Sequence, residues 1–332
     1  KIFNLVNNIN WIDTIEPNPD LKQLQNLLDK MTLEKIDCVL AFGGGSSIDS
    51  AKAFALALSP TGKNFSLKEL IIRAPSFPFG SSLPLYAIPT TAGTGSEVTP
   101  FATVWDYAER KKLSIAGPSI YPSIAFVDPE LTDTLPYDST LFTGLDAINQ
   151  AAESIWNKNM TPMSEVIAHR ALQVGFMSLP RLMDDLNNKI FRDNMSEVSL
   201  LAGLAISQTR TSLCHAISYP LTAHFNIPHG LACAFTMSSV LSHNLKADDG
   251  RLKRLAKVLS FQETGDSEDI VNIFDRLTNK LKVAERVRKM VGSIEKLHKL
   301  QGQMSQVGRA DNALLIANES HITKILNSSW SK

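Results

Sequence analysis

Asp37-Cys38-Val39-Leu40-Ala41-Phe42-Gly43-Gly44-Gly45-Ser46-Ser47-Ile48-Asp49 is the stretch on which the fold turns. A short, near-continuous apolar run ends in three glycines, after which Ile48, Ala51, Ala55 and Leu58 recur at helical spacing. Such a run suits a parallel strand covered on both faces. Gly43, Gly44 and Gly45 make the turn, and Ser46 with Asp49 three residues on is a capping-box variant that opens a helix. Residues 83–88 repeat the pattern as an apolar strand stopped by Pro89, and residues 21–31 place Leu21, Leu24, Leu27 and Leu28 on one helical face. Strand, turn and helix in series predict a doubly wound α/β region with a parallel sheet.

After Pro136 the character changes. Residues 163–183 and 197–208 carry long helical patterns, and few strand-like alternations follow. The spacing predicts an α/β domain over 1–138 and an all-α domain over 139–332, with the boundary near 136–142. Segments 59–82 and 106–122 are rich in Pro, Gly, Ser and charged residues, and read as loops or a hairpin.

The 332 residues carry 33 basic and 33 acidic side chains, so no net charge draws the chain toward nucleic acid or an anionic membrane. No apolar run approaches the roughly 18 residues of a membrane span. Cys38, Cys214 and Cys233 are widely spaced and read as buried thiols in a reducing compartment, the cytoplasm. The chain starts at Lys1 with no signal-like segment, which reads as a trimmed start.

Two glycine-rich turns follow strand-like runs. Gly43, Gly44, Gly45 and Ser46 expose main-chain N–H groups at a helix start, where a phosphate can approach. Thr90-Thr91-Ala92-Gly93-Thr94-Gly95-Ser96-Glu97 adds hydroxyls that can bond diphosphate or ribose oxygens, while Ser96 can cap the next helix. Singly, each is as well explained by a tight turn. Together, at neighbouring strand ends, they favour a dinucleotide crevice. Farther on, Asp146 in Gly144-Leu145-Asp146-Ala147-Ile148-Asn149-Gln150 shares a helical face with Gln150 and Glu153. His215 stands before Tyr219, and His229 lies in a Pro228-His229-Gly230 turn that lets the ring project. One carboxylate and two imidazoles from separate segments can hold a divalent metal with a position left open. A structural reading of each histidine stays open on spacing alone, and His169, His224, His243, His298 and His321 are assigned to it.

The ordered set Gly43 to Lys52, Pro89 to Val98, Asp128-Pro129-Glu130, Gly144 to Ala147 and Pro228-His229-Gly230 closely resembles the iron-containing (group III) alcohol dehydrogenases. The resemblance spans residues 37–245. It implies a dehydroquinate synthase-like fold, NAD or NADP as cofactor, Fe2+ or Zn2+ as metal, a small aldehyde or alcohol as substrate, and a homodimer or larger homo-oligomer. Carried over by position, it implies cofactor contacts from Gly43, Gly44, Gly45, Ser46, Asp49, Thr90, Thr91, Thr94 and Lys112. It implies metal ligands from Asp146, His215 and His229. Two departures stand out. Family members commonly carry histidine where this chain has Gln150, normally the fourth ligand, and where it has Tyr219, beside the substrate. Gln150 offers only a neutral carbonyl oxygen to the metal, and Tyr219 offers a phenol to relay a proton. These departures resemble the phosphonoacetaldehyde reductase branch, in which Arg210 would face a phosphonate. Three other readings remain: a general short-chain alcohol dehydrogenase, a dehydroquinate-synthase-like lyase using NAD transiently, and a relative that has lost its metal.

Overall fold

Gly43 takes φ of +153°, a conformation side chains disfavour, and the chain passes from strand to helix within two residues. In the computed structural model, residues 9–31, 35–109, 111–260, 270–305 and 308–332 are described. The first region runs α1 (Leu21–Met31), β1 (Val39–Gly43), α2 (Gly45–Ala57), α3 (Leu67–Arg73), β2 (Leu85–Pro89), β3 (Phe101–Asp106), β4 (Lys111–Ala116) and β5 (Ile124–Ala125). The helical body continues with α4 (Tyr137–Ile155), α5 (Pro162–Asp184), α6 (Lys189–Thr209), α7 (Leu213–Phe225) and α8 (His229–Asn244). It ends with α9 (Arg251–Ser260), α10 (Ile270–Lys280), α11 (Val283–Val291), α12 (Ile294–His298) and α13 (Glu319–Trp330). No helix among the described residues is long and apolar enough to cross a membrane.

β1, β2 and β5 form a parallel sheet in that order, with Val39 opposite Leu85 and Gly43 opposite Pro89. β3 and β4 form an antiparallel hairpin, as the composition of 106–122 allows. Ala41, Leu85 and Ala87 are buried with Ile48, Ala51 and Ala55 of α2. On the other face Leu40 and Phe42 are 46% and 54% exposed, and Ile124 and Phe126 are exposed beside them. The expectation of a strand covered on both faces is therefore corrected: among the described residues, α2 covers one face and the other is open.

Three further expectations change. Residues 59–82 are not all loop, because α3 forms there behind a complete capping box in which Ser66 and Glu69 bond each other's backbone N–H. The Ser46–Asp49 box does not form: Gly44 is the N-cap of α2 without a side-chain bond. Cys38 is exposed at the start of the strand, while Cys214 and Cys233 are buried as expected.

Asp49 is spent elsewhere. Its carboxylate accepts the Ser96 hydroxyl at 2.5 Å and the Thr103 N–H at 2.7 Å. One turn on, fully buried Lys52 donates to Ser96 Oγ, the Thr99 carbonyl and the Phe101 carbonyl at 2.9, 2.8 and 2.6 Å. Burial draws the Lys52 ammonium down to about 8 against the opposing pull of Asp49 and Glu97. Ser96 thus ties its loop to α2 instead of capping, and Gly95 precedes the short turn. On the far side the same loop meets the helical body. A Cβ on Gly93 would lie 2.5 Å from Thr143 Cβ of α4, and one on Gly95 would strike Gly203 of α6. The Thr90–Glu97 loop is therefore held between α2 on one side and α4, which carries Asp146, and α6 on the other.

Lys52→Met keeps the stem and removes the buried donor, leaving four acceptors, on Ser96, Thr99 and Phe101, and the Glu97 carboxyl without it. Denaturant unfolding is expected to lose about 3–5 kcal/mol. The same change at exposed Lys68 on α3 is expected to cost under ~0.5 kcal/mol.

Candidate active site

Asp146, Gln150 and Glu153 share one buried face of α4. Glu153 is fully enclosed, and its carboxylate accepts the Ser212 N–H at 2.7 Å and the Cys214 N–H at 2.5 Å. Those amides open α7, which has no side-chain cap of its own. A carboxylate from another helix fills that place, where the helix dipole favours it. The same Oε2 lies 2.7 Å from His215 Nδ1. A charge-assisted bond there fixes a proton on Nδ1, so Nε2 is the nitrogen left for a second proton or a metal.

His215 Nε2 faces Asp146 Oδ1 at 3.5 Å. Asp146 Oδ2 accepts the Gln150 amide N–H at 3.0 Å, but Oδ1 is buried without a hydrogen-bond partner. Two electron-rich atoms, both withdrawn from water, thus point at one another. Such an arrangement is unfavourable unless a proton on Nε2 or a metal cation lies between them.

His229 joins the group from α8, where it is the first helical residue after Pro228 and not part of a free turn. A Cβ on Gly230 would run into the Phe142 carbonyl, so glycine lets α8 begin hard against α4. The His229 and His215 rings meet edge to face at 5.2 Å. Burial, and then the charges of Lys112, His215 and Arg309, hold His229 well below the usual imidazole range. A neutral ring is the form that ligates metal. Around His215 the balance runs the other way. Burial opposes a charge there, but Cys233, Glu153 and Asp146 outweigh it and raise its pKa well above the ordinary value. Asp146, His215, His229 and Cys233 each bring a donor atom within 4.8 Å of the others, so the residues fit a divalent ion.

Tyr219, one turn past His215, stacks on His229 with ring centroids 5.9 Å apart. Lys112 Nζ lies 3.9 Å from the centre of the Tyr219 ring and the Arg309 guanidinium 4.5 Å from it. Neither cation has a carboxylate partner among the described residues. Burial would raise the Tyr219 phenol, but Lys112, Arg309 and His215 together hold it below its ordinary value. Arg210 is exposed, its guanidinium 5.7 Å from the centre of the Phe101 ring. The cation that the structure sets beside Tyr219 from the helical region is Arg309.

The glycine and threonine turns come together at the strand ends. Thr90 N–H donates to the Gly43 carbonyl at 3.0 Å. A Cβ on Gly44 would lie 3.1 Å from Thr91 Cγ2, and one on Gly45 would lie 2.6 Å from Thr94 Cγ2. Ser46 Oγ accepts the Asn18 N–H at 3.1 Å. The histidines assigned a structural role engage protein groups: His224 meets Gln303, His298 meets Asn327, and His243 meets the Leu315 carbonyl and the His321 ring. His169 lies 3.9 Å from Glu165.

Glycine-rich strand ends of a parallel sheet thus stand against a helical body with a buried carboxylate and two imidazoles, an arrangement that can hold a dinucleotide beside a metal. The comparisons agree. The model for iron-containing alcohol dehydrogenase matches residues 4–129, and that for the C-terminal region of the Fe-containing alcohol dehydrogenase family matches residues 140–330. The chain belongs to the iron-containing alcohol dehydrogenase family. It is 33% identical over 252 residues to the probable alcohol dehydrogenase EutG of Escherichia coli, covering 76% of this chain and 62% of that protein. It is 38% identical over 213 residues to the phosphonoacetaldehyde reductase of Streptomyces viridochromogenes, covering 63% of this chain and 54% of that one. The match thus spans less than two thirds of either relative. The solved structure of sulfoacetaldehyde reductase from Bifidobacterium kashiwanohense, in complex with NAD+, superposes with a TM-score of 0.82 at 28% identity, covering 96% of this chain and 83% of that one.

Proposed function

We propose that the protein is an NAD(P)H-dependent, metal-assisted reductase of short aldehydes that carry an anionic group. Phosphonoacetaldehyde, reduced to 2-hydroxyethylphosphonate, is the substrate to test first. The observation that carries the reading is the pair of cations, Lys112 and Arg309, against a tyrosine stacked on His229. A short chain with an aldehyde at one end and a phosphonate at the other suits a site with electron-rich donors beside free cations. The names of the Streptomyces and Bifidobacterium relatives point to substrates of that kind.

Asp146, His215 and His229 would hold the metal, with Glu153 fixing the His215 tautomer and Gln150 fixing the Asp146 carboxylate. Gly43, Gly44, Gly45 and Ser46, with Thr90, Thr91 and Thr94, would hold the dinucleotide, and Asp49 would support that crevice through the Ser96 loop. Bound there, these groups supply Lewis-acid polarisation of a carbonyl and a hydride. The protein does the rest: Lys112 and Arg309 orient the substrate, and Tyr219 gives its Oη proton to the product oxygen. Lys112 takes this place in addition to the cofactor contact that the family resemblance implies. Three free cysteines fit a reducing compartment, on which we base a cytoplasmic location.

Two measurements test this. His229→Ala is expected to lose bound metal and aldehyde reduction together, and full activity without metal would refute the mechanism. Arg309→Gln is expected to lower kcat/KM for phosphonoacetaldehyde about 10- to 100-fold, the equivalent of a charge-assisted contact of ~1.5–3 kcal/mol. Propionaldehyde, which has no anion, should be nearly unaffected. An equal loss on both substrates would reject the anionic-substrate reading.

A further inference from the structure

Cys233 stands one helical turn past His229 on α8, fully buried. Its sulfur lies 3.8 Å from His229 Nε2, and it belongs to the same close group of donors as Asp146 and His215. Bonds of ~2.0–2.3 Å to a tetrahedral ion place neighbouring donors about 3.3–3.6 Å apart. The His215–Asp146 separation of 3.5 Å and the Cys233–His229 separation of 3.8 Å agree with that spacing to a few tenths of an ångström. The buried Oδ1 of Asp146 accepts no hydrogen bond and faces His215 Nε2, which leaves it open to a cation.

We propose that Cys233, as its thiolate, is the fourth protein ligand of the divalent ion, making an Asp–His–His–Cys donor set. The inference rests on the metal reading above and goes beyond it by assigning the sulfur. Gln150 is the rival fourth donor, since its Oε1 is also buried without a hydrogen-bond partner, but that oxygen carries no charge and its amide nitrogen is given to Asp146. On binding, the Cys233 S–H proton is released to solvent as the metal–sulfur bond forms. A thiolate in the set shifts preference from iron toward zinc, because soft sulfur suits the softer ion.

Cobalt(II) reports the sulfur directly, through a near-ultraviolet thiolate-to-cobalt charge-transfer band that needs no substrate or cofactor. The full chain, stripped of metal and loaded with about one cobalt per chain, is expected to show that band. Cys233→Ser should still bind cobalt but lose the band, and Cys38→Ser should keep it. Bound cobalt with no band in the unaltered chain, or a band that survives in Cys233→Ser, overturns the assignment and leaves the metal reading standing. Failure of the unaltered chain to bind cobalt brings down both. Should Cys233→Ser fail to fold, Cys233→Ala takes its place with the same expectation, and absence of the band from the unaltered chain still overturns the assignment.

Discussion

The Glu153 carboxylate joins three things that would otherwise be independent. It sits on α4 with Asp146, it accepts the first amides of α7, and it faces the Nδ1 proton of His215. Buried carboxylates are costly unless their lone pairs are filled, and here three N–H groups fill them. One consequence is mechanical: α7 cannot shift against α4 without exposing an unpaired charge. The other is chemical, since Nε2 of His215 is aimed at Asp146 Oδ1, 3.5 Å away. The pairing of these two donors thus follows from the way two helices are fastened.

A second fastening brings the dinucleotide turns to the same place. Lys52 and Asp49 anchor the Thr90–Glu97 loop to α2. The bare surfaces of Gly93 and Gly95 let that loop press on Thr143 and Gly203. Thr143 is three residues before Asp146, so the spacing between the glycine-rich turns and the buried donors is set by close contacts against bare glycine backbone. Lys112 arrives on the β3–β4 hairpin and Arg309 from beyond α12, and both converge on Tyr219.

Much of this order was legible in the sequence. The apolar run, the triple glycine and the helical spacing after Ile48 specify strand, turn and helix locally, and the helices after Pro136 repeat at their natural period. Asp146, His215 and His229 could be picked out because their flanking motifs are distinctive, and the structure brings them together. Other features depend on tertiary contact. Whether Ser46 and Asp49 would cap α2 was decided by Ser96 and Thr103, more than forty residues away. Arg309 had no local signal, whereas Arg210 looked favourable from its nearness to His215 in sequence and turned to Phe101. Cys233 did leave a trace, since a residue four past His229 shares its helical face. The Ser66–Glu69 capping box was also readable, though masked by the Pro and Gly around it.

The most direct test of the central claim is an anomalous-scattering map at the zinc edge, from crystals of the full chain grown with zinc. One strong peak is expected within bonding distance, about 2.0–2.3 Å, of Asp146 Oδ1, His215 Nε2 and the His229 ring. A map with zinc only elsewhere, and with Asp146 Oδ1 hydrogen-bonded to water or protein, would contradict it.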